Sequence, residues 1–146
     1  MKKNNDSKYF AGFWIRLIAY HIDILIIGIV VLLLLGVIHG NFVEGYIKFI
    51  SIDDSDLKTD LIRYIMFWLY FSVMEHSFYQ ATIGKIILGI KVTDISGNRL
   101  SYLKATSRFF AKFLSAFIVI GFLMIAFTKK KQGFHDIITG TIVIKK

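Results

Sequence analysis

The chain has 146 residues, of which 55% are hydrophobic and 16% aromatic, and its formal net charge is +8. A soluble domain is usually about 45–50% apolar, so this composition favours a membrane protein. The basic residues flank apolar segments, which is typical of cytoplasmic membrane edges and does not indicate a nucleic-acid partner. The chain has no cysteine, which excludes disulfides, thiol catalysis and a Cys-ligated metal site.

The first apolar stretch, residues 13–38, is predicted to be a transmembrane helix, although it contains Arg16 and Asp23. A charge at the centre of a bilayer costs about 2.5–3.5 kcal/mol on insertion scales. Asp23 lies seven positions after Arg16, about two helical turns, so both side chains project from the same face. Each is expected to find a partner on another helix. The two charges indicate either an ion or proton site or a buried ion pair that fixes helix packing.

A second span is predicted over residues 61–81, separated from the first by an acidic loop. It contains Glu75, which is expected at a depth similar to that of Asp23 if the two helices are antiparallel. When two carboxylates lie close together, their repulsion raises the pKa of at least one of them, which favours a shared proton or a bound cation. The alternative is that Glu75 pairs with Arg16 or Lys85.

The third apolar region carries its polar residues on one helical face, at Ser101, Lys104, Arg108, Lys112 and Ser115. This spacing favours an amphipathic helix at the membrane interface. Residues 117–127 are purely apolar but number only about 11, in the range of re-entrant segments. We expect a segment that enters the membrane and turns back near Gly121. A single tilted full span is the alternative.

Residues 87–100 are rich in β-branched side chains and contain a Ser-Gly-Asn turn signal, so they predict a small cytoplasmic β-hairpin. Residues 141–145 have similar character and are expected to pair with it. The Lys/Arg distribution places both termini in the cytoplasm. The expected fold is therefore an all-α integral membrane protein of two full transmembrane helices, a third helical element and the hairpin, all in one domain over residues 1–146.

Four motifs stand out along the chain. Helix one carries an Arg that is followed by Ile-Asp at residues 22–23. A Thr-x-Gly-Lys…Gly-x-x-Val block, an Arg on the third helix and a terminal Gly-x-His-Asp block come after it. The motifs fall on Arg16, Asp23, Thr82, Gly84, Lys85, Gly89, Val92, Arg108, Gly133, His135 and Asp136. Together they resemble the motifs of the RDD family of small bacterial membrane proteins. Ile83 stands where many members have proline, which affects the sharpness of that turn.

The resemblance implies a multi-pass protein of the bacterial cytoplasmic (inner) membrane, in a family often associated with transport. We expect an ion, proton or structural charge network of Arg16, Asp23, Glu75 and Asp136, supported by the motif residues Thr82, Gly84, Lys85, Arg108 and His135. Asp136 is expected to pair with Arg16.

The expected function is transport of a monovalent cation, a proton or a small polar solute. A homo-oligomer is expected, since three short helices enclose a pathway poorly. The alternative is a membrane scaffold or assembly factor that does not transport. No residue constellation indicates an enzyme, a metal site or a cofactor, and the one partner indicated besides a second copy is the lipid bilayer.

Overall fold

The computed structural model describes residues 9–50, 57–117 and 120–146. This part of the chain is mostly helical, with one two-stranded antiparallel sheet. Lys2, Lys3 and Lys8 of the basic N-terminus, and Asp53, Asp54 and Asp56 of the acidic loop, lie outside the described residues. The elements in chain order are α1 (Phe13–Ile38), α2 (Phe42–Ile50), α3 (Leu57–His76), α4 (Ile83–Ile87), β1 (Ile90–Asp94), α5 (Tyr102–Phe117), α6 (Ile120–Phe127), α7 (Phe134–Thr139) and β2 (Thr141–Lys145).

Helix α1 has the bounds that the sequence predicted and is 26 residues long, or about 39 Å. Within the described residues it is the one helix long and apolar enough to cross a membrane. The buried residues recur at helical spacing and form one face of the helix; they are Arg16, Ala19, Asp23, Ile27, Val31 and Leu35. Trp14, Leu25 and Leu33 are exposed on the other side. The helix therefore hides its charges and presents an apolar face outward.

Helix α3 corresponds to the predicted second span, but it begins at Leu57 and ends at His76 rather than covering residues 61–81. It carries ionisable side chains at Lys58, Asp60, Arg63 and Glu75. These make α3 much less apolar than α1, so length and composition alone do not mark it as a span.

Helix α2 occupies part of the region that was expected to be a loop, and this expectation was wrong for residues 42–50. The helix packs back on α1 where two glycines meet. A Cβ at Gly45 would lie 2.5 Å from the backbone nitrogen of Gly36, so the two helices approach with no side chain between them. The acidic composition of the segment predicted a loop, but residues 42–50 form a short helix. Its apolar residues are largely exposed, among them Phe42, Val43 and Tyr46.

Helices α5 and α6 form the third hydrophobic element. Gly121, where a turn was expected, lies in the first turn of α6, and residues 118–119 between the helices are outside the described part. Helix α5 is amphipathic as predicted, but its polar face turns inward: Arg108 and Ser115 are buried, whereas Leu103, Phe110 and Leu114 are exposed. A helix at a water interface would expose its basic face to solvent. Helix α5 has the opposite orientation, which suits apolar surroundings.

The small sheet differs from the predicted hairpin in its strand pairing. Only residues 90–94 of the 87–100 segment form a strand, and its partner is the C-terminal strand, with Val92 opposite Val143. The C-terminal pairing was predicted; the second strand of a local hairpin does not form, because the chain after the turn at Gly97 leads into α5 instead. The N-terminal chain adds to the edge of β2, with the Ala11 amide donating to the Val143 carbonyl at 2.9 Å.

Candidate functional site

Asp136 is the point where α7 meets two arginines from other helices. Its side chain is fully buried. Oδ2 accepts a hydrogen bond from Nη1 of Arg16 at 2.5 Å, and Oδ1 accepts from Nη2 of Arg108 at 2.6 Å. The Arg16–Asp136 contact expected from the sequence is therefore present, but Asp136 is shared with Arg108. Arg16 also donates to the backbone carbonyls of Ala11 and Lys131, at 2.9 and 2.5 Å.

Glu75, on α3, is buried among three cationic side chains. Oε1 accepts from Nζ of Lys85 at 2.5 Å and, more distantly, from Nζ of Lys112 at 3.4 Å. Oε2 accepts from Nη1 of Arg108 at 2.7 Å. Arg108 is only 2% exposed and joins Glu75 to Asp136. The Glu75–Lys85 pair, left open as an alternative by the sequence, is one part of a larger network.

Asp23 has a separate set of partners, and all of them are neutral. Its carboxylate accepts from the Tyr70 hydroxyl at 2.7 Å, the Thr82 hydroxyl at 2.5 Å and the Gly84 amide at 2.7 Å. Within the described residues, no hydrogen bond or ion pair joins Asp23 to Glu75. The geometry therefore gives no support to a proton or cation held between these two carboxylates.

The Thr-x-Gly-Lys block connects these two groups of contacts. Thr82 and Gly84 bind Asp23 on α1, and Lys85 binds Glu75 on α3. Gly84 has to be glycine for this packing, because a Cβ there would overlap the Ala19 carbonyl oxygen. The short helix α4 is thus held against α1 by the motif residues themselves.

His135 is buried beside Asp136 on α7. Its Nδ1 lies 3.2 Å from the Ser115 hydroxyl, and its Nε2 lies 3.4 Å from Oδ1 of Asp136. Burial lowers the pKa of His135 to about 3, so the imidazole is neutral near pH 7. Burial alone would raise the pKa of Asp136, but the neighbouring Arg108 guanidinium, with His135 and Arg16, holds that pKa well below its usual range.

A cavity of about 610 Å³ lies against the network. Its basic lining is Arg16, Lys85, Arg108 and Lys112, with the Arg63 side chain paired to Asp60. Its aromatic lining comes from α1, α3 and α5. The rings of Tyr20 and Phe71 are 5.9 Å apart, and those of Phe71 and Phe109 are 6.1 Å apart. Pockets of this size are typical of small-molecule sites.

Among the residues that the structure describes, positive charge exceeds negative charge around this cavity. The cations Arg16, Lys85, Arg108 and Lys112 stand against the carboxylates Asp23, Glu75 and Asp136, which leaves one formal positive charge in excess. Lys112 is the least compensated of the four: its described ionic contact is the 3.4 Å one to Glu75, and its side chain is 19% exposed.

Tyr70 and Lys112 contact the buried carboxylates but were not among the predicted site residues. Tyr70 binds Asp23, and Lys112 reaches Glu75. Lys112 follows Arg108 by four residues, so it shares the inward face of α5. The same spacing also describes a basic face at the membrane interface, so the sequence alone does not distinguish the two orientations. Tyr70 carries no such signal, because an aromatic residue in an apolar helix is usually a packing residue.

The fold and site together define a small, mostly helical, membrane-type protein with a buried ionic network around a cavity. The model of the RDD family matches residues 10–140, and the chain belongs to that family. It is 39% identical to the uncharacterized protein YxaI of Bacillus subtilis, over 93% of this chain and 97% of the relative. It is 31% identical to the uncharacterized membrane protein YteJ of the same organism, over 92% and 80%. No solved structure matches the chain.

Proposed function

We propose that this RDD-family protein is a multi-pass protein of the bacterial cytoplasmic membrane that moves a small charged or polar solute and has no enzymatic activity. Helices α1 and α3 would be the two full spans, and α5 with α6 would form the third element. The outward apolar face and inward basic face of α5 support this placement, because they suit a helix surrounded by lipid. The apolar helix α1 and the description of YteJ as a membrane protein point the same way.

The observation that carries the proposal is the cavity of about 610 Å³ lined by buried charged side chains. Ionisable groups within a membrane protein are costly and often mark a solute pathway. The excess of one cation among the described residues favours an anionic solute over the monovalent cation or proton that the sequence suggested. Lys112 would contact the solute, and the Glu75–Arg108–Asp136 chain would hold the surrounding helices in place.

Flux through reconstituted liposomes tests this function. We expect vesicles with the wild-type protein to release chloride or phosphate faster than protein-free vesicles, and Lys112→Gln to slow the release. Lys104→Gln is the matched control, since it removes the same charge from the same helix outside this cavity. Flux of sodium, potassium or protons alone would contradict the anion preference, and no flux of any of these ions would contradict transport.

Homo-oligomerisation is part of the proposal, because few and short helices surround a solute poorly. The exposed apolar residues of α2, including Val43 and Ile47, offer a surface for a second copy. Light scattering of the detergent-solubilised protein would give the mass of the protein component, and a monomer mass under flux-competent conditions would contradict this part.

A non-transporting scaffold is the second candidate, and one observation favours it. Arg108 contacts both Glu75 and Asp136, and Arg16 contacts Asp136, so the network ties α1, α3, α5 and α7 together. A purely structural network would serve a rigid assembly module. Silent liposomes containing correctly folded protein would favour this alternative.

A further inference from the structure

We propose that the ligand of the cavity is an anionic amphiphile, with a phosphate or carboxylate headgroup at Lys112. Its apolar chain would lie along an aromatic wall formed by Tyr20, Phe71, Phe109 and Phe113. This inference rests on the proposed function, since it takes the charged cavity as the solute site and names the class of molecule that fits it.

Lys112 supplies the recognition of the headgroup. An ammonium group has three donors, and the described contacts of Lys112 are one hydrogen bond of 3.4 Å to Glu75 and a position 4.6 Å from the centroid of the Phe71 ring. Arg16, Lys85 and Arg108 each have a carboxylate partner at 2.5 to 2.7 Å. Lys112 is therefore the lining cation best able to accept a new anionic partner.

The aromatic wall supplies the site for an apolar chain. It continues from Tyr20 through Phe71 and Phe109 to Phe113, whose ring lies 5.3 Å from that of Phe109. Phe113 is 46% exposed and Tyr20 is 44% exposed. The wall therefore extends from the buried charges to the molecular surface, where a lipid chain leaves the cavity without crossing a polar barrier.

The distribution of polar groups argues for a hydrocarbon chain over a purely polar anion. Apart from the four cations Arg16, Lys85, Arg108 and Lys112, the polar lining consists of Asp23, His135, two tyrosines and the Asp60–Arg63 pair, and the other lining side chains have no hydrogen-bonding groups. Those apolar side chains are Phe13, Leu17, Phe67, Phe71, Phe109, Phe113, Ile125 and Val143. Burial of a hydrocarbon chain against such a lining is favourable, whereas the hydroxyls of a sugar or the edge of a nucleobase would lack partners there.

Calorimetric titration of the full-length protein in a neutral maltoside detergent tests the inference. The three titrants are dihexanoyl phosphatidic acid, dihexanoyl phosphatidylcholine with the same chains, and inorganic phosphate. We expect the phosphatidic acid to bind at least about tenfold more tightly than either of the others, and Lys112→Gln to weaken its binding by about tenfold. Lys112→Arg should retain binding, and Lys104→Gln should leave it unchanged.

Each other outcome overturns the inference in a recognisable way. Equal affinity for inorganic phosphate would indicate a free-anion site, which refutes the amphiphile but leaves the proposed anion transport intact. Equal affinity for the phosphatidylcholine would indicate contact with apolar surface only. No binding of any titrant refutes the ligand class, and the liposome flux then decides separately whether the transport proposal stands. If Lys112→Gln does not fold, the wild-type comparison of the three titrants still decides.

Discussion

At the scale of single residues, the site separates two kinds of buried carboxylate. Glu75 and Asp136 neutralise cations, whereas Asp23 receives hydrogen bonds from neutral donors. Replacing a buried ion pair with apolar residues is often neutral, but removing one partner leaves an uncompensated charge. The stability lost on substitution therefore depends on the groups that lose their partner. Around Glu75 these groups are cations, whereas around Asp23 they are two hydroxyl groups and a backbone amide.

We expect Glu75→Gln to destabilise the protein far more than Asp23→Asn. The first leaves Lys85 and Arg108 without the Glu75 charge, at a cost of about 3–5 kcal/mol. The second keeps one acceptor oxygen, and the Thr82 hydroxyl can rotate to accept from the new amide, so the loss is about 1–2 kcal/mol. Thermal melts of both variants in one detergent provide the measurement. A larger loss for Asp23→Asn would mean that Asp23 compensates a cation after all.

The pKa of His135 predicts how stability depends on pH. Its folded-state pKa of about 3 lies below the ordinary 6.5, so the unfolded chain takes up the proton first. The contribution of His135 to stability is complete above about pH 6.5 and decreases toward pH 3, with a limiting slope of about 1.4 kcal/mol per pH unit. The melting temperature of the wild type should therefore fall from pH 7 to pH 4, and His135→Gln should fall less. His21→Gln, at an exposed site, is the control; a slope unchanged in His135→Gln would contradict the assignment.

At the scale of elements, the long and periodic helices could be predicted from the sequence, but the direction in which an amphipathic helix faces could not. The bounds of α1 and the Arg16–Asp136 contact follow from hydropathy and from the position of a charge that needs a partner. The inward turn of the basic face of α5 does not, since the same helical spacing describes a face toward water or toward buried carboxylates. The shared role of Arg108 likewise depends on three-dimensional proximity of α3 and α7.

Helix α4 provides an element-scale prediction, because it docks on α1 through Gly84. Gly84→Ala should destabilise by about 1–3 kcal/mol or more, since the added methyl group overlaps the Ala19 carbonyl and separates the Gly84 amide from Asp23. Gly28→Ala is the matched control: its Cβ would lie 3.5 Å from Phe49, an ordinary contact. That variant should gain up to about 1 kcal/mol from helix propensity. Comparable melting of the two variants would show that α4 does not depend on this close approach.

At the scale of the whole molecule, the sheet places the described segment before α1, residues 9–11, beside the C-terminal strand. The Lys145 amide donates to the Tyr9 carbonyl at 2.8 Å, and Phe10 forms an isolated bridge with Ile144. The segment before α1 and the C-terminal strand therefore lie on the same side of any membrane that α1 crosses. Asn41 follows the other end of α1 and should lie on the opposite side.

The absence of cysteine from the sequence makes this topology directly measurable. Single substitutions Tyr9→Cys, Asn41→Cys and Lys146→Cys can each be treated with a membrane-impermeant maleimide in intact cells. We expect labelling at position 41 and protection at positions 9 and 146, because the Lys/Arg-rich side remains in the cytoplasm. Permeabilised cells should label all three and serve as the control. Labelling at 146 with protection at 9 would contradict the pairing of residues 9–11 with β2, and protection at all three positions in intact cells would mean that α1 does not cross the membrane.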